Sequence, residues 1–167
     1  MRKYNYEEIK QEMERRKSNN TKLQMIYERV LKCANENSIS RIDKRVLDLF
    51  KSYFTDTNFD LYYHNENEVW KQEKFIRIYY NNNYNDYVDI TLFYASKISN
   101  VIEKTIEDLK QSCIDSIEYQ KEQETKINNS LNDLENKVNE FNNLMNKIEE
   151  WQKNNEELHY LMQVKEY

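Results

Sequence analysis

Apolar residues in this chain recur with a helical period at both ends and with a strand period in the middle. Tyr6, Ile9 and Met13 fall on one face of a short amphipathic helix over 5–17. Asn19, Asn20 and Thr21 then read as a break and a new N-cap, since short polar side chains satisfy the free N–H groups of a first turn. A second helix, about 21–36, places Leu23, Ile26, Tyr27, Val30, Leu31 and Ala34 along one stripe, with Asn35 and Asn37 as candidate left-handed caps. Ser40 and Asp43 resemble a capping box for a third helix, about 41–54, which turns Ile42, Val46, Leu49, Phe50 and Phe54 inward.

The period changes between residues 59 and 94. Phe59–Tyr63, Phe75–Tyr80 and Tyr87–Tyr94 are rich in β-branched and aromatic residues. In the last of these, Val88, Ile90, Leu92 and Tyr94 alternate with Tyr87, Asp89, Thr91 and Phe93. Asn81–Asp86 is a turn cluster in which Asn or Asp supplies positive φ, and Asn65–Glu68 is a second turn candidate. Val69 and Trp70 belong to the second strand or to the connection before it. The pattern predicts a three-stranded antiparallel meander.

From about Ser96 the period is helical again. Ile98, Ile102, Ile106, Leu109, Cys113 and Ile117 form one stripe, followed by a polar interval in which Gln120 and Glu124 stand at core positions. Ile127, Leu131, Leu134, Val138, Phe141, Met145 and Ile148 then alternate by steps of four and three, which is a heptad seam. The seam continues less regularly through Trp151, Leu158 and Met162. Either a helical hairpin bent near 121–130 or one long coiled-coil helix fits. Thr125 and Ser130 as caps, and the polar interval, favour the hairpin; a homodimer through these helices is the alternative. The expected fold is therefore α+β and mostly helical. A helix-plus-sheet domain over 1–95 precedes a helical hairpin or coiled-coil extension over 96–167.

Composition narrows the chemistry. The 167 residues include no Gly and no Pro, against about 7% and 5% in ordinary proteins. Glycine-rich phosphate loops and glycine-flanked nucleophile turns are therefore absent. His64 and His159 are far apart and lack metal-ligand spacing, and Cys33 and Cys113 read as buried thiols rather than a disulfide or zinc framework. We expect neither enzyme activity nor a cofactor or metal. No apolar run is long enough for a membrane span, so a cytoplasmic protein is expected.

Charge is uneven. Residues 1–50 carry 12 Lys and Arg against 8 Asp and Glu, whereas residues 101–150 carry 6 against 12. The acidic set Glu103, Glu107, Asp108, Asp115 and Glu118, together with Tyr84 and Asp86 in the turn cluster, is the candidate partner-binding surface. An acidic face suits a basic groove built for nucleic acid. The tyrosines around it (Tyr62, Tyr63, Tyr79, Tyr80, Tyr84, Tyr87, with Trp70) supply contact area at low entropic cost. Arg41, Lys44 and Arg45 form an alternative, a DNA-contacting helix-turn-helix.

Modest length, a vocabulary rich in Asn, Tyr, Lys and Ile, acidic helices and no catalytic motif together resemble, in general style, the anti-CRISPR proteins of phages and mobile elements. The resemblance implies a non-catalytic inhibitor that binds a nucleic-acid-handling effector. The competing class is a coiled-coil structural or assembly protein.

Overall fold

A computed structural model describes residues 6–39, 44–56, 58–67, 71–81, 84–96, 102–103 and 105–164. The order of elements is α1 (Tyr6–Glu36), α2 (Arg45–Lys51), β1 (Phe59–Asn67), β2 (Lys71–Tyr80), β3 (Tyr87–Ser96), β4 (Ile102–Glu103) and α3 (Ile106–Val164). The fold is α+β and mostly helical, as the sequence pattern predicts. Its described residues fall into two compact units, Glu14–Glu124 and a second made of 6–13 with 125–164. The borders lie inside α1 and α3, whereas the change of sequence pattern lies at 95/96.

In the unit Glu14–Glu124, β1, β2 and β3 form the expected antiparallel meander, and the two-residue β4 adds a short fourth edge. Ile78 faces Leu61 on one side and Val88 on the other, which puts the aliphatic residues Leu61, Ile76, Ile78, Val88, Ile90 and Leu92 on one face. That face carries Phe59, Leu61, Ile76, Ile78, Tyr80, Ile90 and Leu92 into the core. Ile26, Val30 and Cys33 from α1, Val46, Leu47 and Phe50 from α2, and Leu109 and Cys113 from α3 complete it. Both cysteines are free and buried.

Several elements differ from expectation. The helices expected over 5–17 and 21–36 are one helix. Thr21 caps nothing: its hydroxyl donates to the Lys17 carbonyl 3.1 Å away, one turn back. Arg15, Arg16 and Lys17 consequently lie in the interior of α1. Neither Asn35 nor Asn37 takes a left-handed conformation. Asn37 closes α1 differently, its backbone N–H and its Nδ2 both donating to the Cys33 carbonyl, at 3.2 and 2.8 Å. The third helix is only Arg45–Lys51, and Lys44 precedes it with no side-chain cap. Ser40, Arg41, Ile42 and Asp43 lie outside the described residues, as do Val69, Trp70 and Ile98. Asn65, Glu66 and Asn67 are strand rather than turn, paired with Lys74, Glu73 and Gln72.

The last helix begins ten residues later than expected. Ile102 and Glu103 pair as β4 with Tyr94 and Phe93, so they are strand and not part of the helical stripe. A capping box sets the true start. The Thr105 backbone N–H and hydroxyl both donate to Asp108 Oδ2, at 2.9 and 2.8 Å, and the Asp108 N–H donates back to Thr105 Oγ1 at 3.1 Å. This reciprocal arrangement satisfies orphan donors of the first turn.

From there α3 is continuous. The expected bend at 121–130 is absent, since without Gly or Pro nothing interrupts the backbone hydrogen-bond ladder. Ser130 bonds inward, its hydroxyl donating to the Lys126 carbonyl at 2.9 Å. The hairpin is therefore excluded and the single long helix stands.

Candidate protein-binding surface

Among the described residues the helices of the core pack on the apolar face of the meander, and the other face leaves Tyr62 and Tyr87 exposed while Phe75 is buried within it. Alternation places Asp60, Tyr62 and His64 of β1, Phe75, Arg77 and Tyr79 of β2, and Tyr87 and Asp89 of β3 on that face. Arg77 sits directly opposite both Tyr62 and Asp89. Its Nε and one terminal nitrogen donate to the two carboxylate oxygens of Asp89, each at 2.7 Å. This two-pronged bond fixes both side chains in a plane, and Asp89 holds the guanidinium above its already high ordinary pKa.

The plane organises the aromatic rings around it. The Arg77 guanidinium lies 4.0 Å from the centre of the Tyr87 ring and 5.2 Å from that of Phe75. A cation over a ring face is attracted by the ring quadrupole. Tyr79 is the hub of the tyrosines, meeting Tyr62, Tyr84 and Tyr87 edge to face with centroids 5.7, 5.5 and 5.8 Å away. Next to them His64 stacks flat on Phe75 at 4.9 Å, its Nε2 buried with no hydrogen-bond partner among the described residues. Tyr62 and Tyr87 remain nearly half exposed, and Tyr84 is 76% exposed.

The turn that holds Tyr84 is rigid at its base. Asn81 takes positive φ (68°), the conformation expected of this cluster. Its Nδ2 donates to Asn19 Oδ1 at 2.8 Å and to Asp86 Oδ2 at 3.1 Å, while Lys22 Nζ donates to its Oδ1. The Tyr80 N–H donates to the Asp86 carbonyl at 2.9 Å, closing the hairpin. Asp86 is thus occupied in building the turn.

No protein-family model matches the chain, and no curated protein or solved structure is detectably similar to it.

The acidic set is divided between two elements. Glu103 stands in β4, not on the helix with the others. Asp108 is consumed by the capping box, Glu107 pairs with Lys110 at 3.0 Å, and Asp115 accepts from Gln111 Nε2 at 2.7 Å. Glu118 is exposed. Glu107, Asp108, Asp115 and Glu118 nevertheless remain exposed on one side of α3, so the acidic face persists there without Glu103. The basic alternative is thin: Lys44 and Arg45 are exposed neighbours, and Arg41 lies outside the described residues. Among the described residues, no group of three or more His, Cys, Asp or Glu is placed to hold a metal ion. No described helix is long and apolar enough to cross a membrane.

The heptad seam belongs to the other unit. There Ile127, Leu131, Leu134 and Val138 are half-buried, and Lys10 near the start of α1 pairs with Glu135 at 3.9 Å. Phe141, Met145 and Ile148, the later seam residues, are exposed. Sequence reasoning singled out Tyr84 but missed the Arg77–Asp89 pair at the centre of its surface. The signal was available in the alternation of β3 against β2. The register between them was not.

Proposed function

We propose that this chain is a non-catalytic protein-binding protein whose contact surface is the tyrosine-rich face of the sheet. The observation that carries this is the ring cluster of Tyr62, Tyr79, Tyr84 and Tyr87, held around the Arg77–Asp89 pair and left accessible. Tyrosine and arginine are enriched among the residues that dominate binding energy, because rigid rings and a planar guanidinium lose little entropy when buried. Asp60 and Glu66, on the same strand face as Tyr62, add negative charge to its surroundings, whereas Asp89 is balanced by Arg77. That charge disfavours phosphate and suits a basic protein groove. The reading is therefore an inhibitor that occupies a surface of a nucleic-acid-handling effector.

Affinity capture with the wild-type chain and with Tyr62→Ala and Tyr84→Ala tests it. The wild type recovers an effector and inhibits its activity on nucleic acid, and each substitution weakens binding by about 30-fold, the scale of a hot-spot residue. Undiminished capture by both variants, or salt-sensitive retention of the free chain on nucleic acid, overturns the reading.

A further inference from the structure

An apolar stripe on α3 runs on beyond the half-buried seam. Phe141, Leu144, Met145, Ile148 and Trp151 are all exposed, Phe141 by 61% and Trp151 by 66%. From Phe141 the stripe steps to Leu144, Ile148, Trp151 and Asn155 by three, four, three and four. Leu158 and Met162 occupy the next two positions of the same spacing, within the helix that ends at Val164. This alternation has a period of 3.5, the period of a seam that faces another helix. Its phase differs from that of the seam over 127–138, where Leu131 and Val138 are the a positions and Leu134 and Phe141 the d positions. In the later phase Phe141, Ile148, Asn155 and Met162 are a, and Leu144, Trp151 and Leu158 are d.

We infer that this second seam is a self-association surface, and that two copies of the chain pair through residues 141–162 of α3 as a parallel, in-register coiled coil. Three observations select a second copy. First, Asn155 is the single polar residue among the a and d positions. A lone a-position Asn favours two strands in register, because each Asn then meets its own counterpart. Second, charge stays off the seam. Glu149, Glu150, Lys153 and Glu156 fall at b, c and f. In the parallel pairing Glu140 at g meets the partner's Met145 at e, and Lys147 at g meets the partner's Gln152 at e. An antiparallel overlay of the same seam instead sets Asn155 against apolar seam residues of the partner near Ile148, leaving a buried amide without its counterpart. Third, the size is adequate. With about 150–250 Å² per fully buried aromatic, the five exposed side chains offer on the order of 400 Å² per chain, most of the way to the roughly 1,000 Å² total of a specific interface.

This inference stands apart from the sheet surface and survives its failure. The test is sedimentation velocity on the full chain over a concentration series, with Phe141→Glu and Ile148→Glu as variants. Both positions are exposed, so unchanged far-ultraviolet circular dichroism certifies the fold of each variant. The wild type reaches twice 20.7 kDa, and the variants dissociate at least tenfold more readily. Asn155→Cys, oxidised, reports orientation by forming a disulfide-linked dimer at high yield, with Cys33 and Cys113 shielded in the core. A wild type that stays monomeric at its highest soluble concentration overturns the inference. So does dimerisation untouched by both glutamates, or an Asn155→Cys dimer that fails to cross-link.

Discussion

The side-chain amide of Asn20 donates to the main-chain carbonyl of Gln120 at 2.8 Å, and both residues are buried. Each lies in what reads along the sequence as an interruption, the Asn-rich break in the first helical pattern and the polar interval in the last. The two interruptions are one contact between helices. A buried amide without a partner costs more than a made bond gains, so the pair also specifies which turns of α1 and α3 meet. Asn20→Ala removes the donor and leaves a small void. It should lower unfolding free energy by about 1–2 kcal/mol, measured by urea denaturation monitored through circular dichroism. A loss within error of zero would refute the role.

Asn81 gives a sharper dissection, because its conformation and its side-chain bonds separate by substitution. Asn81→Gly keeps access to positive φ but loses the bonds to Asn19, Asp86 and Lys22. Asn81→Ala loses both, with an added backbone cost of about 1 kcal/mol. Thermal melts should therefore rank wild type above Gly and Gly above Ala; an Ala variant as stable as Gly would show that the turn does not depend on the left-handed conformation.

The capping box makes a local prediction for the start of α3. Thr105→Ala and Asp108→Ala should each cost about 0.5–2 kcal/mol. The double variant should cost less than the sum, because the two side chains serve one reciprocal motif. Hydrogen exchange of the amides at 106–109 should quicken in all three, and unchanged protection would count against the box.

Burial pushes the Cys33 thiol up to about 11, with the nearby Glu36 acting in the same direction and the Asn37 amide opposing. The unfolded chain ionises this thiol at lower pH, near 8.5. Between those values the folded state holds more protons than the unfolded state, so stability falls as pH rises. The contribution is fully present below about pH 8.5 and is lost progressively as pH climbs toward 11. Tyr27 and Tyr80, also raised by burial, act in the same sense at still higher pH. Cys33→Ala should flatten the decline by up to about 1.4 kcal/mol per pH unit, read as the difference between paired denaturation series. The thiol should also resist alkylation at neutral pH until the protein is unfolded.

Some of this protein was determined along the chain alone. Local periodicity placed the three long strands and their inward residues, because alternation at Val88, Ile90 and Leu92 is a property of the pleat itself. It placed the stripes Ile26–Val30–Ala34 and Leu109–Cys113–Ile117, whose spacing is helical in any context. It identified the turn that needs positive φ, at Asn81.

Tertiary structure decided the rest, and for a common reason. Whether Asn20 breaks a helix or anchors one depends on a carbonyl 100 residues away. Whether Thr125 and Ser130 start a new helix depends on competition with a ladder that no Gly or Pro weakens. That Ile102 is strand and not helix depends on Tyr94 across the sheet. The Arg77–Asp89 pair exists only through the β2–β3 register, which includes a shift at Lys74/Phe75. Polar side chains at helical positions satisfy themselves locally or at a distance with similar energies, and only the assembled fold shows which partner is within reach.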